Sequence, residues 1–329
     1  MPLTQVQNGM LAGVIPASLG GTGVTTSTGS GSVVLNTNPT FSGGINTPNT
    51  FGFKNRVING DMNIWQRGTS GSSGFVADRW LINSSNTTSA QSSDVPTGFR
   101  FSNLMTATSS SNAQLTQRVE SFNCTDLVGQ AITVSFWAKS TAGSTQLTTY
   151  ITHANTQDNF GATTLVGSSG SFTLTSSWAQ YSFTFTTSAP AGIVNGIQLG
   201  LFRNGTESST TFITGVQLEK GTVATNFDYL PYGTELQLCM RYFEIVSIYD
   251  YPENQTYYGG WKYLPQINFI VPKRTTPTAV NTSQGGWPNG SGGTFTTSIN
   301  SYSVQPIAQG GNALNNNLHN YSYNISAEL

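Results

Sequence analysis

Reactive side chains are scarce in this sequence and stand far apart. His153 and His319 each sit alone among polar residues. They read as solvated loop histidines rather than metal ligands or general bases. Cys124 and Cys239 are the only cysteines, too few for a disulfide framework and too widely spaced for a zinc motif. Both read as buried, inert thiols. No stretch carries an HExxH pair, a GxSxG elbow, a GxxxxGK loop or a GxGxxG turn. Glycoside hydrolysis needs two carboxyls facing each other across a sugar. The acidic residues Asp61, Asp78, Asp94, Glu120, Asp126, Asp158, Glu207, Glu219 and Asp228 are scattered, and no pair stands out. The chain therefore reads as a non-enzyme that needs no cofactor.

Two kinds of binding chemistry remain. A structural calcium ion takes carboxylate and carbonyl oxygens, and Asp61, Asp78 and Glu219 are the candidate ligands. The competing reading pairs them with Arg56, Arg67 or Arg79, or with hydrogen-bond donors. Sugar binding needs little charge: aromatic faces meet C–H-rich rings, and amides and hydroxyls bond the ring hydroxyls. Trp137 is the leading candidate because alternation places it with Thr133 and Ser135 on a polar strand face. Tyr150, His153 and Phe202 are read as lining the same sheet. Trp261, beside Tyr257, Tyr258 and the Gly259-Gly260 pair, marks a second aromatic cluster. Packing under a loop or against a neighbouring subunit is the alternative for each tryptophan.

The elements that must hold these residues follow from composition and period. Charged residues make up 8% of the 329, with a formal net charge of -1. Soluble domains carry roughly 25%. Such a balance gives no footprint for nucleic acid or an anionic membrane, and no run approaches the roughly 18 apolar residues of a membrane span. The start, MPLTQVQNGM, lacks the pattern of a secretory signal. Residues 1–53 alternate short apolar pieces with glycine and threonine. Alone they cannot bury enough surface to offset their ordering entropy, so they are expected to order against other chains.

From 54 to 233 the signal is strands. AITVSFWAKS puts Ile132, Val134 and Phe136 on one face, and SWAQYSFTFTT does the same with Tyr181, Phe183 and Phe185. GIQLGLF and TFITGVQLEKG continue the two-residue period. Short strands separated by Gly/Ser/Asn turns predict an all-β antiparallel sandwich with hydroxyl-bearing outer faces. TELQLCMRYFEIV predicts a short helix with Thr234 as N-cap and Gln237 as its capping-box partner. Residues 234–329 then form this helix and a second, smaller β-domain, with Pro265, Pro272 and Pro277 at edges or turns.

One run concentrates the residues that the rest of the chain lacks: NRVINGDMNIWQRGTSGSSGFVADRW, from Asn55 to Trp80. Its NGDMNIWQRGTS and ADRW resemble the start of a jelly-roll domain in bacteriophage tail-fibre and other virion proteins. GVQLEKGTVATNFDYLPYGTELQLCMRYFE is similar to that domain's end, VPKRTTPTAV to the strand after its helix, and LGGTG to a motif of fibre shafts. The resemblance implies a jelly-roll β-sandwich similar to carbohydrate-binding modules, and it supplies no catalytic residue. It makes the run a structural corner: a first strand from Arg56 to Ile64, Trp65 and Trp80 closing the core, and Arg67, Asp78 and Arg79 bonding the loop between them. It also implies a homotrimeric phage virion protein located in a tail appendage, without membrane insertion. That tail fibre would attach to other virion tail proteins through residues 1–53 and bind host-surface glycans. The alternatives are a tailspike-like polysaccharide depolymerase and a structural adaptor or head-decorating protein.

Overall fold

The computed structural model describes residues 53–329, apart from 84–85, 108–111, 144, 186–189, 205–207, 251–260, 264–265, 286–293 and 310–318. The described residues belong to one compact unit, 46–329. The expected attachment segment, 1–53, lies outside them except for Phe53.

Thirteen strands among the described residues build the larger part. They are β1 (Ser70–Gly71), β2 (Gly74–Phe75), β3 (Leu81–Asn83), β4 (Thr87–Ser92), β5 (Ser102–Ala107), β6 (Ala113–Val119) and β7 (Ile132–Ser140). Then come β8 (Gln146–Thr156), β9 (Asn159–Ser168), β10 (Phe172–Thr173), β11 (Ala179–Phe185), β12 (Ile197–Asn204) and β13 (Ser209–Lys220). A front sheet runs β1-β4-β5-β13-β7-β11, and a back sheet runs β10-β8-β12-β6-β3-β2 with β9 paired to β8. Every pairing is antiparallel. The result is the jelly-roll sandwich that the alternating strands and the resemblance imply.

Alternation decides what fills it. Ile132, Val134, Phe136 and Ala138 of β7 meet Leu199 and Leu201 of β12, Leu147 and Ile151 of β8, and Ile213, Val216 and Leu218 of β13. All of these are buried, and each such side chain larger than alanine contributes roughly 1.5–3 kcal/mol of transfer free energy. Tyr181 and Phe183 pack on this core from β11, as their spacing requires. Tyr181 stacks on Phe136 at 5.7 Å.

The backbone of the corner run differs from expectation. Residues 54–64 form no strand, although Arg56 N–H bonds the Leu218 carbonyl at 2.8 Å and Val216 N–H bonds that of Gly60 at 2.9 Å. Asn59 and Met62 adopt positive φ, 57° and 58°, which breaks a regular ladder. Asn59 instead becomes a buried hub. Its side chain donates to the carbonyls of Ile64 and Asp78 and accepts from Ile64 N–H, while its own carbonyl takes the Trp80 indole N–H at 2.8 Å. Trp80 is fully buried, and Trp65 donates to the Met62 carbonyl at 2.7 Å.

The helix α1 (Tyr232–Met240) begins earlier than its sequence suggests. Pro231 is the N-cap, and its carbonyl accepts from the N–H groups of both Thr234 and Glu235. Thr234 is thus already inside the first turn, and no capping box forms. Two small sheets follow. One orders β14 (Phe243–Asp250), β20 (His319–Ser326) and β17 (Thr278–Gly285). The other joins β15 (Trp261–Tyr263), β16 (Ile267–Asn268) and β18 (Thr294–Ile299) to β19 (Ser303–Gln309). Their core is Val246, Phe269, Val304, Tyr323 and Ile325. Pro272 and Pro277 lie outside the strands, as expected, and Pro265 lies outside the described residues.

Both arginines of the corner reach across to this part. Glu328 takes Arg67 at 2.9 Å through one oxygen and Arg79 through the other. Arg79 lies over the Tyr242 ring at 3.5 Å, and Arg67 over the Phe243 ring at 3.6 Å. Asp78 turns away to Gln66, whose backbone N–H it accepts at 2.8 Å, and stands 4.0 Å from Arg67. The corner residues are tied into the fold by these bonds. The arginines, however, clamp the C-terminal strands rather than each other's loop.

Candidate functional site

The outer face of the front sheet carries an aromatic row at one end. Strand pairing sets Leu104, Phe212 and Lys139 side by side on β5, β13 and β7. Trp178, just before β11, completes the row, because the next residue, Ala179, pairs with Ala138. One step along, Thr214, Trp137 and Gln180 form the neighbouring row. Trp137, Trp178 and Phe212 are each half-buried. Trp178 meets Phe212 edge-on, with ring centroids 6.1 Å apart. The Lys139 ammonium stands 4.8 Å from the Phe212 centroid and 5.5 Å from that of Trp178.

Asp94 fixes this arrangement. One of its oxygens accepts from Lys139 at 2.6 Å and the other from the Trp178 indole N–H at 3.0 Å. The Lys139 hydrogen bond holds the Asp94 carboxyl below its ordinary range, so it stays an anion at neutral pH. The indole is therefore held before any ligand arrives, which lowers the ordering cost of stacking on it.

A bulge in β13 shapes the next part of the face. Between Thr214 and Gln217 the register against β7 shifts, and Gly215 adopts φ 60°. A β-carbon there would stand 2.6 Å from the Phe99 ring and 3.1 Å from Trp137 Cδ1. Phe99 continues into an aromatic cluster, 5.3 Å from Phe227 and 5.5 Å from Tyr229.

Beside Phe99 opens a cavity of about 160 Å³ lined by Asp61, Asn63, Gly98, Phe99, Arg100, Tyr229, Leu230, Tyr232 and Glu235. Glu235 also accepts a hydrogen bond from Asn59 N–H, which ties α1 to the corner. Burial, with Asp61 and Asp228 nearby, pushes the Glu235 carboxyl up to about 7. Burial also raises Asp61. Glu235 carries no signal in the sequence, because Asn59, the residue it bonds, lies 176 positions away.

The other expected site residues are dispersed. Tyr150 and Phe202 lie diagonally on the outer face of the back sheet, not on the sheet of Trp137, since β7 and β8 belong to opposite sheets. The Tyr150 ring covers Gly200, and a β-carbon at Gly200 would fall inside it. Burial pushes the Tyr150 hydroxyl up to about 12. Arg118 flanks it, donating to Gln198 at 3.1 Å and standing 5.1 Å from the Phe160 centroid. His153 is on strand β8 rather than a loop, and its ring abuts Gly192 of the short turn Ala191–Asn195. It does not join Tyr150 and Phe202. Trp261 lies in β15, and its side chain, like that of His319 in β20, is outside the described residues.

The three carboxylates proposed for calcium do not converge. Glu219 is held by Gln217 at 2.8 Å and by Thr225 N–H and Oγ1 at 2.9 and 2.6 Å. Asp78 is held by Gln66, and Asp61 accepts from Asn63. Among the described residues no three carboxylate, histidine or cysteine side chains gather as a metal site. This donor set does not fit the ion. Cys124 and Cys239 are free and buried, and burial pushes the Cys124 thiol up to about 12.

No family model matches the chain, and no curated protein matches it. Among solved structures it is similar to the enzymatically active domain of bacteriophage CBA120 tailspike protein 4, at 17% identity and TM-score 0.36. That match covers 51% of this chain and about a fifth (21%) of the other. It is also similar to TmCBM61, solved with β-1,4-galactotriose, at 14% identity and TM-score 0.35, covering 50% of this chain and 98% of that one. The family 11 carbohydrate-binding module from Clostridium thermocellum, solved with a mixed-linked tetrasaccharide, gives 12% identity and TM-score 0.31, covering 48% and 97%. At TM-scores below 0.5 these likenesses carry no inference about ligand or activity.

Proposed function

We propose that this chain is a non-catalytic glycan-binding protein of a phage tail appendage, and that the front-sheet face is its recognition face. The carrying observation is the aromatic row of Trp178 and Phe212 with Trp137 in the row beside it, and Trp178 pre-positioned by Asp94. A hydroxyl and an amide exposed on the same face, from Ser182 and Gln180, supply neutral partners for sugar hydroxyls. Single sites of this kind bind weakly, and the homotrimer expected from residues 1–53 would multiply them into useful avidity.

A hydrolytic reading draws on one observation, that Asp61 and Glu235 border the same cavity. Acid and nucleophile need environments that push their pKa values apart. Here burial raises both. Binding without turnover is the better fit. A glycan array probed with purified protein tests it: the wild type retains a subset of glycans and Trp178→Ala loses them. An array blank for the folded wild type would favour a structural adaptor. Oligosaccharide release from host polysaccharide would favour the depolymerase.

A further inference from the structure

We propose that the cavity beside Phe99 binds a cationic ammonium group, so that the glycans taken by the front face carry a free amine. The second clause rests on the front-face reading; the first does not.

The walls make the case. Phe99, Tyr229 and Tyr232 supply three aromatic rings, and Tyr229 and Tyr232 are 44% and 61% exposed, which places them at the mouth. Ring faces attract organic cations, most strongly where water is excluded. Asp61 and Glu235 supply two carboxyls against one lining cation, Arg100, whose guanidinium lies 5.4 Å from the Phe101 ring. Asp61 Oδ1 and Asn63 Oδ1 are shielded from solvent and have no hydrogen-bond partner in the protein. Unmatched acceptors beside aromatic rings call for a donor that carries positive charge. A hard cation such as calcium prefers six to eight oxygens, whereas much of this lining is aromatic or aliphatic. The size suits an ammonium with the carbons that bear it. The place suits a glycan substituent, because Gly215 brings Phe99 and Trp137 together where the front row meets the cavity.

Acidity follows from the same geometry. Asp61 and Asp228 both oppose ionisation of Glu235, and Arg100 and the hydroxyls of Tyr229 and Tyr232 are the other titratable groups around the cavity. With the Glu235 carboxyl at about 7, roughly a tenth is ionised at pH 6 and nine-tenths at pH 8. An ammonium ligand should then bind up to about tenfold tighter at pH 8 than at pH 6.

Calorimetric titration of the full chain with methylammonium, glucosamine, N-acetylglucosamine and calcium chloride, at pH 6 and pH 8, tests this. Methylammonium is expected to bind and to tighten with pH; glucosamine, whose own ammonium is largely deprotonated by pH 8, is expected to bind with a much smaller pH gain, and N-acetylglucosamine to bind at least tenfold more weakly than glucosamine at pH 6. Glu235→Gln should abolish the pH dependence of methylammonium, and Asp61→Asn and Tyr229→Ala should each weaken the amines several-fold. Circular dichroism of each variant separates lost binding from lost folding. If methylammonium binds as predicted while no glycan does, the cavity stands and the front-face reading falls. If glycans bind with or without an amine and methylammonium does not, the cavity proposal is overturned. Calcium binding that survives Tyr229→Ala would also overturn it, in favour of a metal site.

Discussion

Glu235→Gln should make the protein more stable at pH 8 and leave it nearly unchanged at pH 4.5. In the folded chain the Glu235 carboxyl titrates at about 7, against an ordinary 4.5, because burial and the neighbouring Asp61 and Asp228 oppose its charge. A raised folded pKa means that the native state holds a proton that the unfolded chain has lost between those values. Its contribution is present at low pH and disappears as pH climbs through 7. The difference of 2.5 units, at roughly 1.36 kcal/mol each, gives about 3 kcal/mol between pH 4.5 and pH 8. Glutamine keeps the acceptor for Asn59 N–H and has no charge to bury, so the variant should lack this loss. Asp61 and Asp78, also raised by burial, slope in the same direction and largely cancel in the difference. Urea denaturation followed by tryptophan fluorescence at half-unit steps from pH 4.5 to 8 provides the comparison. Parallel profiles for variant and wild type would refute the reasoning, because they would mean that Glu235 ionises as freely as in water.

Further outcomes can be checked with single substitutions. Glu328→Ala leaves Arg79 buried without its carboxylate, at a cost of about 3–5 kcal/mol in urea unfolding; a change under 1 kcal/mol would show that the clamp is idle. Gly215→Ala forces a β-carbon against Phe99 and Trp137 at positive φ, and should cost about 1–3 kcal/mol and weaken glycan binding together. Cys124 and Cys239 should resist a thiol reagent in the native protein and react on denaturation, so fast native labelling would contradict their burial.

Strand parity was the part of the fold most legible in the sequence. It placed Ile132, Val134 and Phe136 inward and Trp137 outward, and the structure agrees. The same parity puts Trp178 with Gln180 and Phe212 with Thr214 on the outer face. Parity does not say which sheet a strand joins. Consecutive β7 and β8 cross from front to back, and that crossing separates Trp137 from Tyr150 and Phe202. Nor does local text reveal a partner far along the chain. Glu328 meets Arg79 across 249 residues, and Glu235 meets Asn59 across 176. The helix starts before its sequence suggests because Thr234 is a good capping residue in isolation, while Pro231 offers a fixed φ and a free carbonyl three residues earlier.

The central claim, that sugars stack on the front row, has a direct spectroscopic readout. The chain has six tryptophans, and each contributes one indole N–H resonance once labelled with nitrogen-15. Trp178 should be identifiable by the loss of its peak in Trp178→Phe, and Trp137 likewise. Titrating a glycan recovered from the array should shift the peaks of Trp137 and Trp178 and leave those of buried Trp80 and the corner's Trp65 in place. Shifts confined to other tryptophans, or binding with no indole shift at all, would contradict the account.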